Sequence, residues 1–258
     1  MTMVSDPVEA VRALGMRANA ETIRALVAHA TKSQLSPAQT LLELATLEKR
    51  ERDARNLAAR TKAATLNQFK PLDRFDWMHP RSIERELFEE LHETLGFMER
   101  GENVLFRGQA GVGKTTLAKH LGLAALARGH TVRCITLAAA LADLLRRESI
   151  PAVERRLRRY TQCDLLIIDE LGYLACDPDA ADLLFRIVSD RHENRAIVVT
   201  TNLAYKQWTT VFGDAPCLGA LIDRFAQHCH VFDIDADSWR EKDRKAALEK
   251  KRSPTKRR

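Results

Sequence analysis

Gly108-Gln109-Ala110-Gly111-Val112-Gly113-Lys114-Thr115 fits the pattern G-x-x-x-x-G-K-[ST]. Glycines let such a loop bend tightly with its N–H groups facing inward, and that concave ring of donors holds phosphate oxygens. In this reading Lys114 reaches the β- and γ-phosphates, and the Thr115 hydroxyl ligates Mg²⁺. Thr116 opens a helix whose N-terminal dipole favours the same negative charge. The flanks agree. Asn103-Val104-Leu105-Phe106-Arg107 is a short apolar run ahead of the loop, and Leu117, Ala118, Leu121, Ala124, Ala125 and Leu126 recur at helical spacing behind it. Strand, glycine loop and helix in that order imply a nucleotide site.

Downstream, strand and helix alternate. The sequence predicts strands over Thr131–Thr136, Asp164–Asp169, Ala196–Thr201 and His228–Ile234. Helices are expected up to about Glu148, after Pro151, and from about Pro178 to Glu193. This alternation implies an α/β domain with a parallel sheet covered by helices on both faces. Leu165-Leu166-Ile167-Ile168-Asp169-Glu170 is an apolar strand ending in two acids. It delivers Asp169 to the sheet's carboxyl edge beside the glycine loop, where a carboxylate organises Mg²⁺. Glu170 is then suited to polarise a water attacking the γ-phosphate. Val198-Val199-Thr200-Thr201-Asn202 ends the next strand in an amide that can bond the water or a γ-phosphate oxygen.

Upstream, residues 1–67 read as a helical module. Asp6-Pro7 is a cap and first-turn signal, a second helix runs from about Ala20 to Thr31, and Ser36-Pro37-Ala38-Gln39 is a capping box opening a long third helix. That helix carries Lys49, Arg50, Arg52, Arg55, Arg60 and Lys62 among acids, either a solvated face or a phosphate-tracking surface led by Arg50 and Arg55. A linker with Pro71, Pro80, Phe69, Phe75 and Trp77 follows, and a helix is expected from about Ser82 to Met98.

The net charge is +6, yet Arg240–Arg258 alone holds ten Lys or Arg against three acids, so the basic character lives in the tail. The expected division is 1–67, 68–241 and a basic, disordered tail at 242–258 that includes Lys250, Lys251 and Arg252. A second basic cluster, Arg146, Arg147, Arg155, Arg156, Arg158 and Arg159, lies between the second and third strands and is a further candidate DNA surface. Five scattered cysteines without a C-x-x-C pair fit a reducing compartment, and no stretch is long or apolar enough for a bilayer. A cytoplasmic, nucleoid-associated location is the expectation.

The succession of the loop, Asp169-Glu170-Leu171-Gly172-Tyr173-Leu174, Thr200-Thr201-Asn202-Leu203, Val211-Phe212-Gly213-Asp214 and Ile222-Asp223-Arg224-Phe225 resembles the IstB family over nearly the whole chain. These are AAA+ ATPases that assist insertion-sequence transposases and are kin of DnaC-type helicase loaders. The resemblance implies a five-stranded parallel sheet of order 5-1-4-3-2, ATP and Mg²⁺ as cofactors, and a homo-oligomeric ring or spiral on double-stranded DNA. A cognate transposase is the implied partner. It also implies that Arg224 is an arginine finger acting on a neighbouring subunit, and that Arg240 contacts phosphates in its own. The implied function is ATP-dependent multimerisation on DNA that stimulates the transposase, with hydrolysis driving disassembly. A helicase loader with the same ATP chemistry is the alternative.

Overall fold

The computed structural model describes residues 6–66, 69–146, 149–172 and 178–244. The chain divides into two compact units, residues 1–60 and 61–258. In the first, α1 (Pro7–Ala13) is capped by Asp6, whose carboxylate accepts from the Val8 amide at 3.0 Å. Helix α2 (Ala20–Lys32) follows an Asn19 cap, and α3 (Pro37–Ala63) begins at Ser36. There the Gln39 side chain accepts from the Ser36 amide at 2.9 Å and the Ser36 hydroxyl accepts from the Gln39 amide at 3.3 Å. Val11, Ala18, Ile23 and Leu47 form this unit's small core. Beside it, buried Glu48 accepts from the Arg17 and Ala18 amides, both at 2.7 Å, and from Arg55 at 3.1 Å.

In the larger unit the single helix expected over 82–98 is two. Helix α4 (Arg85–Thr94) stops at Leu95, which adopts a left-handed φ of 55°, and α5 (Gly96–Glu99) restarts beyond it. Leu95 is buried, so the break exchanges one turn of helix for the burial of a leucine. Five strands then alternate with helices: β1 (Asn103–Gly108), α6 (Lys114–Ala127), β2 (Val132–Thr136), α7 (Leu137–Leu144), α8 (Ile150–Thr161), β3 (Leu165–Leu171), α9 (Pro178–Arg191), β4 (Ile197–Thr201), α10 (Thr209–Phe212), α11 (Leu218–Ala226) and β5 (Cys229–Ile234). All pairings are parallel and the order is β2-β3-β4-β1-β5, the 5-1-4-3-2 arrangement. Apolar strands β1, β3 and β4 occupy the centre and are buried on both faces, as a helix-covered parallel sheet requires. One large core built on Leu105, Leu166, Ile168, Ile197 and Val199 ties the sheet to α7–α11.

Strand β2 lies at a sheet edge, and the residues just after α3 lie along it. The Cys134 amide donates to the Ala64 carbonyl at 2.9 Å, the Thr65 hydroxyl donates to the Cys134 carbonyl, and Leu66 is fully buried. The sequence places the end of the helical module at 67. Residues 61–66 belong to the larger compact unit.

Candidate nucleotide site

Strand β1 runs into the glycine loop, and α6 begins directly at Lys114, two residues before the expected Thr116. Gly108 is required by its neighbour strand: a Cβ there would lie 2.4 Å from the Ile234 carbonyl oxygen. Gly111, at φ +84°, faces Ser238, whose Oγ would be 2.3 Å from such a Cβ, while the Trp239 amide donates to the Gly111 carbonyl at 3.0 Å. The loop is thus clamped from behind by β5 and from one side by residues 238–239.

Asp169 and Glu170 arrive on β3 as expected, but the strand runs to Leu171 and is irregular. Its register with β4 shifts between Ile168 and Leu171, and Glu170 sits at φ +62°. A non-glycine residue in this region costs about 1–3 kcal/mol, and such strain collects at functional sites. The bulge turns Asp169 inward, 7% exposed, and leaves Glu170 exposed on the pocket wall. Asp169 Oδ1 accepts from the Thr115 hydroxyl at 2.8 Å and from the Thr200 hydroxyl. Thr200 in turn accepts from the Glu170 amide at 3.0 Å.

Lys114 is buried at the loop's centre, and its ammonium donates to the Gly108 and Gln109 carbonyls at 2.7 Å each. Burial lowers its pKa to about 8; nearby Asp169 opposes the shift and Arg240 adds to it. Phosphate oxygens favour the charged form, so nucleotide binding draws a proton onto Lys114 once the pH exceeds about 8. Affinity is therefore expected to hold from about pH 7.5 to 8 and then fall by up to about tenfold per unit. Isothermal titration in buffers of different ionisation enthalpy checks this, and proton-independent binding at about pH 9 contradicts it.

The cavity in front of the loop measures about 350 Å³, enough for a nucleotide. Gln109, Ala110, Val112, Gly113 and Thr116 complete the loop, with Ala110 to Thr116 on the cavity's wall. Phe75 and His79 from the linker, together with Trp239 and Arg240, line the cavity as well. Two ion pairs join these two segments, Lys70–Asp243 at 2.9 Å and Lys242–Asp76 at 3.6 Å. His79 meets the Trp239 ring edge-on at 4.9 Å and its Nε2 lies 2.8 Å from the Asp237 carbonyl. The sequence marked the linker aromatics but not this wall.

The Thr115 hydroxyl and the Asp169 carboxylate form a compact pair of hard oxygens, the donor type that Mg²⁺ takes. Thr115 and Asp169 are the residues that would hold such a cation, and it would supply positive charge where phosphates bind.

Arg240 lies at the cavity. Arg224 does not line it: on α11 its guanidinium donates to Ser189 Oγ at 2.8 Å and rests 4.8 Å above the Phe185 ring. Asn202 is exposed beyond β4, beside Gly172, and Thr200 rather than Asn202 faces the cavity. Of the DNA candidates, Arg50, Arg146, Arg155, Arg158 and Arg159 are exposed, and Arg55 is exposed while paired with Glu48 and Glu51. Arg156 differs from these: it is 7% exposed, packed inside the unit, and donates to the Arg146 carbonyl at 3.1 Å. Arg147, Lys250, Lys251 and Arg252 lie outside the described residues.

Sheet order and loop geometry define a P-loop NTPase of the AAA+ class. The chain belongs to the family described as IstB-like ATP binding protein, whose sequence model matches residues 9–247. It is 33% identical over 233 residues to the protein of Geobacillus stearothermophilus named as the ATP-binding protein of insertion sequence IS5376, covering 90% of this chain and 92% of that one. To the corresponding IS21 protein of Pseudomonas aeruginosa it is 34% identical over 225 residues, covering 87% and 84%. Among solved structures the DnaC helicase loader superposes with a TM-score of 0.50 at 17% identity, over 68% of this chain and 99% of the other, a likeness of fold. Among the described residues no helix is long and apolar enough to cross a membrane.

Proposed function

We propose that the chain is an ATPase that assembles with copies of itself on double-stranded DNA and serves the transposase of its insertion sequence. ATP and Mg²⁺ bind at the loop, and hydrolysis then releases the assembly. The observation that carries the hydrolytic part is Glu170, turned by a strained bulge onto the cavity wall beside Asp169. A carboxylate there can take the proton of an attacking water.

Self-assembly is supported by Arg224. A transition state spreading charge onto the γ-phosphate is stabilised by an arginine. Arg224 stands on α11 against α9, clear of its own cavity, where it can serve a neighbour's. Asn202 is the further candidate for reading the γ-phosphate, and Arg240 for holding phosphates in its own subunit. DNA contact is supported by exposed Arg50, Arg146, Arg155, Arg158 and Arg159 and by the basic tail. The relatives' names place their bearers in insertion sequences, which supports a transposase as partner.

Replacing Lys114 by Ala is expected to abolish ATP-dependent assembly, because the cavity loses the one ammonium held at the centre of its loop. Light scattering of the full chain with ATP, Mg²⁺ and duplex reads this. Intact ATP-dependent multimers in Lys114→Ala would refute the reading, and wild-type protein that copurifies with a hexameric helicase would redirect it.

A further inference from the structure

We propose that Thr200 is the positioning residue that sets both acids of the nucleotide site. The kinetic part of this proposal rests on the ATPase reading above; the binding part does not.

Thr200 is 1% exposed, beneath the cavity wall. A hydroxyl has one proton to give and lone pairs to receive with, and here both are committed. Its proton goes to Asp169 Oδ1, which as a carboxylate only accepts, and its oxygen receives the Glu170 amide at 3.0 Å. One small side chain therefore bonds the carboxylate of the first acid and the backbone of the second.

The need for it follows from the bulge. Where β3 slips against β4, Glu170 leaves the regular ladder, and its amide would lose a partner in a partly buried place. The Thr200 hydroxyl stands in for that ladder bond. Its neighbour Thr201 sits where the register resumes, donating to the Leu171 carbonyl at 2.6 Å and accepting from the nearby Leu203 amide at 3.0 Å. Of the two adjacent threonines, Thr200 is the one tied to the acids. It holds the left-handed turn that presents Glu170 and the rotamer that brings Asp169 to Thr115. Valine has the same shape and can make neither bond; serine can make both.

The experiment compares Thr200→Val and Thr200→Ser with wild type in the full chain. It measures affinity for a fluorescent ATP analogue with and without MgCl₂, hydrogen exchange of the segment spanning residues 169–171, and ATP turnover with duplex DNA. Thr200→Val is expected to bind the analogue normally without Mg²⁺, to lose about tenfold or more of the gain Mg²⁺ gives, and to exchange faster at the bulge. Its kcat falls about ten- to one-hundredfold with KM little changed. Thr200→Ser restores all three readouts, which general loosening of the core would not allow. Should valine fail to fold, Thr200→Ala is compared with Thr200→Ser in its place. Wild-type Mg²⁺ gain and exchange in a folded Val or Ala variant would overturn the proposal. If wild type itself never turns ATP over, the ATPase reading fails, while the affinity and exchange data still judge Thr200.

Discussion

Glu170→Gln is expected to leave nucleotide binding intact and to lower ATP turnover by about 10²–10⁴-fold, the range for losing a general base. The amide keeps the size of the carboxylate but cannot take a proton. It also leaves undisturbed the contacts that hold the loop, because the Glu170 side chain is exposed on the cavity wall while its amide carries the bond to Thr200. The residues proposed to bind nucleotide and Mg²⁺, Lys114, Thr115 and Asp169, make their hydrogen bonds without the Glu170 carboxylate. A second effect follows from the proposed cycle: with hydrolysis blocked, assemblies on DNA should persist. Single-turnover phosphate release and sedimentation of the DNA-bound material measure the two together. Normal turnover in a variant that binds nucleotide would remove Glu170 from the chemistry.

Arg224→Ala should cost about 10³–10⁵-fold in turnover if its guanidinium meets a neighbour's γ-phosphate. The loss alone would not show where the arginine acts, since Arg224 also bonds Ser189 and covers Phe185. A mixture decides it. Chains carrying Arg224→Ala retain Glu170, and chains carrying Glu170→Gln retain Arg224. Where two such chains meet, one interface regains both groups. Two inactive preparations should therefore recover turnover when combined. No recovery, with both variants still assembling, would mean that Arg224 works within its own subunit or only supports α11.

Much of this site was legible in the residues. Gly108 to Thr115 carries its spacing in the sequence, and the strands around it read clearly because β1, β3 and β4 are continuous apolar runs. What stayed hidden depends on pairing across the sheet. Nothing in Ile-Asp-Glu-Leu announces that Glu170 will turn left-handed, since that follows from how β3 slips against β4. Thr200 was one of two threonines at a strand end, and only the bulge gives it its work. Arg156 read as one more cation in a basic helix, yet α8 is amphipathic and buries that face with Ala152, Leu157 and Tyr160. The break at Leu95 has the same origin: burial of one side chain outweighs local helix preference.

The short stretch after α3 has a practical side. An open strand edge offers its unpaired N–H and C=O groups to any other extended chain, and proteins guard such edges to stay out of aggregates. Ala64 and Thr65 occupy that place along β2, with Leu66 buried beside them. Any shortened version of the larger unit must therefore keep Thr61 to Leu66; one started beyond them would be born with a sticky border.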